Sequence, residues 1–195
     1  MCEAGRRKKD IWRIIKMLKT ENCCLVVVDV QGILARLMCD KEELFKNIPI
    51  LVQAAKILDI PIIWCQQNPK ALGPTVPEIA ELLAGNSPID KFSFSCCGDE
   101  QFNKSLKALG RKQVILCGLE THVCVYQTAS NLLEGGFTVD LIADAVSSRT
   151  LQNKKIAIRR MANEGVNISS VEMALFELLR TAEHPAFKQI AALIK

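Results

Sequence analysis

The sequence lacks the signatures of several large protein classes. No apolar run approaches the roughly 20 residues that a membrane-spanning helix requires, and no secretory signal peptide is recognisable. The motifs GxGxxG and GxSxG and the phosphate-binding loop are absent, which argues against dinucleotide-binding, nucleotide-triphosphate and serine-hydrolase functions. A net charge of only +4 gives no overall field that would attract a polyanion. We therefore expect neither a membrane nor a nucleic acid as a partner.

Histidine is scarce, with two residues, whereas cysteine is abundant, with nine. No CxxC pair occurs, and the adjacent pairs Cys23-Cys24 and Cys96-Cys97 neither form a zinc knuckle nor bridge readily. An odd number of cysteines without a secretory signal is typical of a reducing compartment, so we predict a cytoplasmic protein. Most of these thiols are expected to serve as small apolar residues in strands.

The chain has the length of one domain, and we predict a single domain over residues 1–195. Residues 1–20 form an arm of different character, in which RRKK at 6–9 precedes DIWRIIKMLK, a stretch with helical spacing of apolar residues. A solvated arm leading into a packing helix is the simpler interpretation. Docking to a membrane surface or a partner is the alternative.

Short apolar runs alternate with longer amphipathic stretches along the chain. The runs predict strands at 23–29, 60–66, 113–118 and 137–144, with weaker candidates at 92–95 and 166–169. The other stretches predict helices near 41–58, 76–84, 99–109, 122–134, 152–163, 170–181 and 186–194. This alternation predicts an α/β fold, a Rossmann-like three-layer α/β/α sandwich with a mainly parallel sheet of roughly six strands.

Ligands of an open parallel sheet bind outside the carboxyl ends of its strands, where the strand order reverses. Asp29 ends the first predicted strand, Gln67 follows the second, and Asp144 ends a later one. The segment GLETHVC at 118–124 follows the strand QVILC, and the proline-rich and glycine-rich loop 68–79 is the candidate for a flap. We therefore expect the active site at the carboxyl ends of the strands.

Cys124 is a candidate nucleophile because a turn that starts with glycine brings it into the first turn of a helix. Backbone amides and the helix dipole there would lower the pKa of the thiol and hold an oxyanion. A buried structural cysteine is the alternative. His122 offers a Cys-His dyad, but residues two apart on a helix point to different faces, which favours a wall or capping role. A zinc site built from Asp29, His122 and Cys124 lacks the usual ligand spacing.

Asp29 and Lys91 are the possible partners of that thiol. Asp29 follows LVVV, and it either caps the next loop or takes the thiol proton and returns it to a leaving group. Lys91 lies between a proline turn and an apolar run. It is either solvated, as most lysines are, or a cation that stabilises both anions.

Three segments carry a resemblance to a known family: VVVDVQ at 26–31, KFSFS at 91–95 and GLETHVCVYQTA at 118–129. In this order and spacing they resemble the isochorismatase-like superfamily of cysteine hydrolases, over roughly residues 20–195. KALGPTVPEI, DAVSSRT and HPAFKQIAALIK, which start at residues 70, 144 and 184, resemble the isochorismatase-domain-containing subgroup.

The resemblance implies a role for each matched residue. Asp29 would be the acid and base, Lys91 the cation that orients it, and Cys124 the nucleophile that forms an acyl-enzyme. The family also implies a cis peptide between Glu120 and Thr121, which would aim the amides of Thr121 and Cys124 at the oxyanion. We assign substrate contacts to Gln31, Trp64, Gln67, Phe94 and His122.

Two sequence differences from members of the family reduce the number of possible functions. The segment at 65–77 has neither the aspartate nor the histidine with which metal-dependent relatives bind their metal, so we predict no zinc, no other cofactor and no nicotinamidase activity. The presence of Cys124 argues against an isochorismatase that uses water instead.

The resulting hypothesis is a hydrolase of the carbon-nitrogen bond in a small amide or ureido compound. Relatives of this kind also imply a homo-oligomer, a dimer or larger. A catalytically silent scaffold or regulatory partner is the alternative, with the basic arm as its docking element. A redox sensor is a third reading, which only the number of cysteines supports.

Overall fold

The structure is a computed structural model and describes residues 17–195. The basic sequence RRKK and most of the predicted leading helix lie outside the described residues. The prediction of one domain over residues 1–195 stays a prediction.

The described chain contains a six-stranded sheet in which all neighbouring strands are parallel. The order of the strands across the sheet is β3-β2-β1-β4-β5-β6. The strands are β1 (Cys23–Val28), β2 (Ile62–Gln67), β3 (Ile89–Lys91), β4 (Gln113–Leu119), β5 (Thr138–Ser147) and β6 (Asn167–Ser169). The strand order reverses between β1 and β4, which makes the carboxyl ends of these two strands the expected position of a site.

The α-helices between the strands are α1 (Gly32–Arg36), α2 (Lys41–Ile57), α3 (Pro69–Leu72), α4 (Pro77–Ala80), α5 (Glu100–Ala108), α6 (Tyr126–Glu134), α7 (Leu151–Glu164), α8 (Val171–Leu179) and α9 (Phe187–Ile194). Short 3-10 turns span Thr20–Asn22, Glu81–Leu83 and Cys96–Gly98, and a π-helical turn spans Thr121–Val125.

Alternating side chains of the strands divide the core into two layers. On β1, Leu25 and Val27 face the layer that contains α2, α4, α8 and α9. Val26 and Val28 face the other layer, which contains α5, α6 and α7. All six residues of β1 are buried, as expected for a central strand covered on both faces. The fold is therefore the predicted α/β/α sandwich.

The weak strand predicted at 92–95 is wrong. The third strand is β3, which pairs with β2 from Cys65↔Ile89 to Gln67↔Lys91. In the residues that follow, the carbonyls of Ser93 and Phe94 accept hydrogen bonds from Lys91. The alternation FSFS therefore arises in a loop that wraps around a buried cation.

The helices α1 and α3 were not predicted, whereas every predicted helix overlaps a helix of the structure. Both are short, with five and four residues, and they follow β1 and β2 directly. No helix within residues 17–195 combines the length and the apolar character needed to cross a membrane.

Candidate active site

The central strands β1 and β4 end in residues of unusual backbone conformation. Asp29 follows β1 with a φ of 54°, and Glu120 follows β4 with a φ of 55°. A side chain in this left-handed region costs roughly 1–2 kcal/mol, so the surrounding fold must hold both residues there. Gly118 permits the close approach of the two strands, because a Cβ on it would lie 2.1 Å from the carbonyl oxygen of Val28.

The predicted cis peptide between Glu120 and Thr121 is wrong, since residues 17–195 contain no cis peptide bond. The chain instead changes direction through the left-handed conformation of Glu120, with a trans bond to Thr121. The π-helical turn that starts at Thr121 then brings Cys124 to the end of β1.

Lys91 is completely buried, although most lysines are solvated. Its Nζ lies 2.8 Å from Asp29 Oδ2 and 2.8 Å from Gln67 Oε1. The carbonyl oxygens of Phe94 and Ser93 lie at 3.0 and 3.2 Å. Burial lowers the pKa of Lys91, but the Asp29 carboxylate and nearby thiols raise it by more, so the pKa lies above its ordinary value. The raised pKa favours the ammonium form of Lys91, and the four surrounding oxygen atoms provide acceptors for all three of its protons.

Asp29 is 2% exposed and carries the other charge of this pair. Burial raises the pKa of its carboxyl, and this effect exceeds the lowering by Lys91 and by the hydrogen bond from the Cys124 thiol. Oδ2 binds Lys91, whereas Oδ1 is buried without a nitrogen or oxygen partner in the described chain. A carboxylate with a raised pKa beside a thiol is well suited to accept its proton.

Cys124 is 6% exposed and lines a cavity at this edge of the sheet. Burial raises the pKa of its thiol, and the Asp29 carboxylate raises it further, more than Lys91 lowers it. The expectation that the helix start lowers this pKa is therefore not met, because loss of water and the neighbouring Asp29 carboxylate raise it. The thiol keeps its proton at rest, and its activation requires transfer of that proton to Asp29.

The cavity has a volume of about 250 Å³. Its polar lining residues are Asp29, Gln67, Glu120, Cys124 and Arg149, of which Asp29, Glu120 and Cys124 are buried. The rest of the wall is apolar and consists of Leu34, Leu72, Phe94, Leu119 and Val123. The short helices α1 and α3 supply Leu34 and Leu72, so the two unpredicted helices build one side of the cavity.

Two of the five predicted substrate contacts, Gln67 and Phe94, line the cavity. Gln31 lies behind it, and its side-chain amide accepts a hydrogen bond from the amide of Gln67 and donates to the carbonyls of Gln67 and Gly73. Gln31 therefore fixes the end of β2 and the loop after it. This makes Gln31 a positioning residue for Gln67.

The other two predicted contacts lie outside the cavity lining. Trp64 packs in the layer of α2 and α4, while Cys124 belongs to the opposite layer. Alternation along β2 gives the reason, since Trp64 pairs in register with Val27 and shares its face. His122 points into a side network, with Nδ1 3.0 Å from Ser148 Oγ and Nε2 3.4 Å from Asn153 Nδ2.

Arg149 is the charged residue of the cavity lining that the sequence did not reveal. The predicted strand ended at Asp144, but β5 continues to Ser147 after a break in its register with β4. Arg149 therefore emerges at the carboxyl edge. Asp144 has a different role, because its carboxylate accepts a hydrogen bond from the amide of Val171 at the start of α8. Extending the strand by its last apolar residue, Val146, would have pointed to Arg149.

No group of three or more histidine, cysteine and acidic side chains within residues 17–195 is arranged to hold a metal ion. All eight cysteines in this part of the chain are free thiols.

Comparisons with a family model and with curated proteins indicate the same family. The family model of the isochorismatase domain matches residues 23–173. Isochorismatase domain-containing protein 2 of Danio rerio is 40% identical over 181 residues, which cover 92% of this chain and 90% of the relative.

Solved structures agree with this result. The MAR1 ribonuclease of Caenorhabditis elegans superimposes with a TM-score of 0.87 at 38% identity, covering 92% of each chain. YcaC of Pseudomonas aeruginosa, solved with hexane-2,5-diol and covalent acrylamide, gives a TM-score of 0.86 at 28% identity, covering 92% of each chain. YcaC of Escherichia coli, described as an octameric hydrolase of unknown specificity, gives 0.86 at 27%, covering 91% of this chain and 89% of that one. The chain belongs to the isochorismatase family.

Proposed function

We propose that this protein is a cysteine hydrolase that cleaves the carbon-nitrogen bond of a small amide or ureido compound. The observation that carries the proposal is the buried ion pair of Lys91 and Asp29, with the Cys124 thiol against the same carboxylate in the lining of a cavity. A buried ion pair costs several kcal/mol of desolvation, so its presence beside a nucleophile favours a catalytic role.

The first half of the reaction transfers the acyl group to sulfur. Asp29 takes the proton of the Cys124 thiol while the sulfur attacks the substrate carbonyl carbon. The amides of Thr121 and Cys124 are the proposed donors to the oxyanion. When the carbon-nitrogen bond breaks, Asp29 returns the proton to the leaving amine, and a thioester remains on Cys124.

The second half regenerates the enzyme. Asp29 takes a proton from water, the resulting hydroxide attacks the thioester, and the thiolate leaves and recovers a proton from Asp29. The products are a carboxylic or carbamic acid and the free thiol. Lys91 transfers no proton in this scheme. Its role is to orient Asp29, because its ammonium donates a hydrogen bond to Asp29 Oδ2 and is itself held by Gln67.

The cavity limits the substrate class. Its volume of about 250 Å³ is below the roughly 300–1,000 Å³ of pockets for drug-sized ligands. This size and the apolar wall suit a small organic amide, and they support the proposal that nucleic acid is not a substrate. We also propose that the protein is cytoplasmic, that the reaction uses side chains alone, and that the chain forms a homo-oligomer, as E. coli YcaC does.

The decisive test is a turnover screen of wild type beside Cys124→Ala, against small amides, ureido acids and esters, with intact-mass detection of an acyl adduct. Cys97→Ala is the matched control, because Cys97 is half-buried and does not line the cavity. We expect turnover or an adduct with wild type and with Cys97→Ala, and neither with Cys124→Ala.

Acrylamide provides a second probe of the same thiol, since a covalent acrylamide is present in P. aeruginosa YcaC. Although its pKa is raised, Cys124 should be labelled faster than the other cysteines, because Asp29 can take the thiol proton as the sulfur attacks acrylamide. Absence of turnover and adduct, together with uniformly slow labelling, would contradict the hydrolase proposal and favour a catalytically silent scaffold.

A further inference from the structure

Arg149 lines the cavity, and within the described chain only one nitrogen of its guanidinium is hydrogen-bonded. Its Nε donates to Glu120 Oε1 over 2.7 Å, and its side chain is 60% exposed. The terminal nitrogens Nη1 and Nη2 have no hydrogen-bond partner within residues 17–195. Because Glu120 binds Arg149 through Nε alone, the edge formed by Nη1 and Nη2 is available and presents two parallel N–H donors.

The other charges at this edge of the sheet are already paired. Lys91 is buried, and its ammonium is surrounded by four oxygen atoms, so it has no proton left for a ligand. Asp29 is its counter-ion. Glu120 is bound by Arg149 at Oε1 and lies 3.2 Å from His122 Nδ1 at Oε2. Within the cavity lining of the described chain, Arg149 is thus the cation that can accept a ligand.

The cavity lining therefore combines the reactive pair of Asp29 and Cys124, an available cation at Arg149 and an apolar wall that includes Leu34, Leu72 and Val123. An uncharged amide would leave the guanidinium without a partner. A substrate with a single negative group in addition to its reacting carbonyl would match all three features.

We propose that the substrate carries a carboxylate and that Arg149 binds it. This inference rests on the proposed function, which supplies the reacting carbonyl at Cys124. A carboxylate fits better than a phosphate, because the planar fork of Arg149 matches two coplanar oxygens and because Glu120, in the same lining, repels a dianion. The substrate class is then a small amide or ureido acid.

The test compares the binding of N-acetylglycine and N-acetylglycinamide, which differ in charge but hardly in size. Titration is followed by NMR on the Cys124→Ala protein, so that no probe is consumed and the result does not depend on catalysis. We expect N-acetylglycine to bind at least about fivefold more tightly, a modest factor because the arginine is half exposed. Raising the ionic strength to about 1 M, where the Debye length is about 3 Å, should remove most of this preference.

Variants of Arg149 identify the group responsible. Arg149→Gln should bind both probes equally, and Arg149→Lys should keep part of the preference because it keeps the charge and loses the fork. Arg159→Gln is the matched control, since it removes an exposed arginine of α7 that does not line the cavity. It should leave the preference unchanged.

Three results would overturn the inference: equal binding of both probes to the parent protein, no saturable binding of N-acetylglycine, or an undiminished preference in Arg149→Gln. Tighter binding of acetamidomethylphosphonate than of N-acetylglycine would overturn the carboxylate assignment. The proposed function fails separately. If N-acetylglycine binds through Arg149 while the amide panel gives neither turnover nor adduct, carboxylate binding by Arg149 is supported and the hydrolase proposal is contradicted.

Discussion

Two buried carboxylates at the ends of neighbouring strands have the same local geometry, but their cation partners differ in exposure. Asp29 after β1 and Glu120 after β4 have nearly equal φ angles, 54° and 55°, and each binds a cation at 2.8 or 2.7 Å. Lys91 beside Asp29 is fully buried, whereas Arg149 beside Glu120 is 60% exposed. Distance alone therefore does not determine what an ion pair contributes. Because both of its groups are removed from water, the pair of Lys91 and Asp29 is costly to break. Arg149 remains in contact with water and can still bind a ligand.

The largest expected effect comes from breaking the buried pair. Lys91→Met leaves the Asp29 carboxylate buried without its cation, so the free energy of unfolding should fall by about 3–5 kcal/mol, as measured by urea denaturation. Turnover should be lost as well. Lys104→Met is the control, because Lys104 pairs with Glu100 on the exposed surface of α5 and should hardly matter.

A second variant keeps this prediction testable if Lys91→Met fails to fold. The double variant Lys91→Met/Asp29→Leu removes both charges and should recover part of the lost stability. Unfolding of Lys91→Met within about 1 kcal/mol of wild type would show that burial does not distinguish the two pairs as described.

An intermediate effect is expected on the reactivity of the thiol. Because the Asp29 carboxylate raises the pKa of Cys124, Asp29→Asn should lower that pKa. The thiolate would form more readily, yet turnover should be abolished, because no proton acceptor and donor remains. The pH dependence of iodoacetamide labelling, followed by peptide mass, measures the change.

Cys97 serves as an internal control in the same experiment, since burial raises its pKa to about 11 and Asp29 is not among the causes. In wild type, the labelling rate of Cys124 should keep rising with pH beyond the range of an ordinary thiol, because its pKa is raised. A labelling curve of Cys124 that does not move in Asp29→Asn would contradict the proposed contact.

The smallest effect is expected at the pair of Glu120 and Arg149, in which the carboxylate is buried but the guanidinium is 60% exposed. Glu120→Gln should change the free energy of unfolding by at most about 1 kcal/mol, because water and salt screen the charge of Arg149. Urea denaturation at low and high salt tests this, with wild type measured in parallel. A loss comparable to that of Lys91→Met would mean that both pairs stabilise the fold equally, and the contrast between them would disappear.

The sequence predicted the elements that have a simple period. The apolar run of β1, the spacing of helices α5 to α9 and the position of Cys124 after β4 were all visible, because burial of a strand or a helix face imposes a pattern on neighbouring residues. The family resemblance was visible because its three motifs are short contiguous segments of the sequence, and all three lie within the residues 23–173 that the family model matches. The order of the strands and the face on which each residue lies were not visible.

Only the tertiary structure determined the electrostatics of the site. The sequence suggested a thiol of lowered pKa at a helix start, but desolvation and the Asp29 carboxylate raise the pKa of Cys124. The sequence also suggested that Trp64 contacts the substrate, but the register of β2 assigns it to the opposite layer. Arg149 reached the cavity because β5 continues past a break in its register. Local pattern thus determined which residues form the strands and helices. Burial, register and the meeting of distant charges depend on contacts between residues far apart in the chain, and the folded protein alone fixes these.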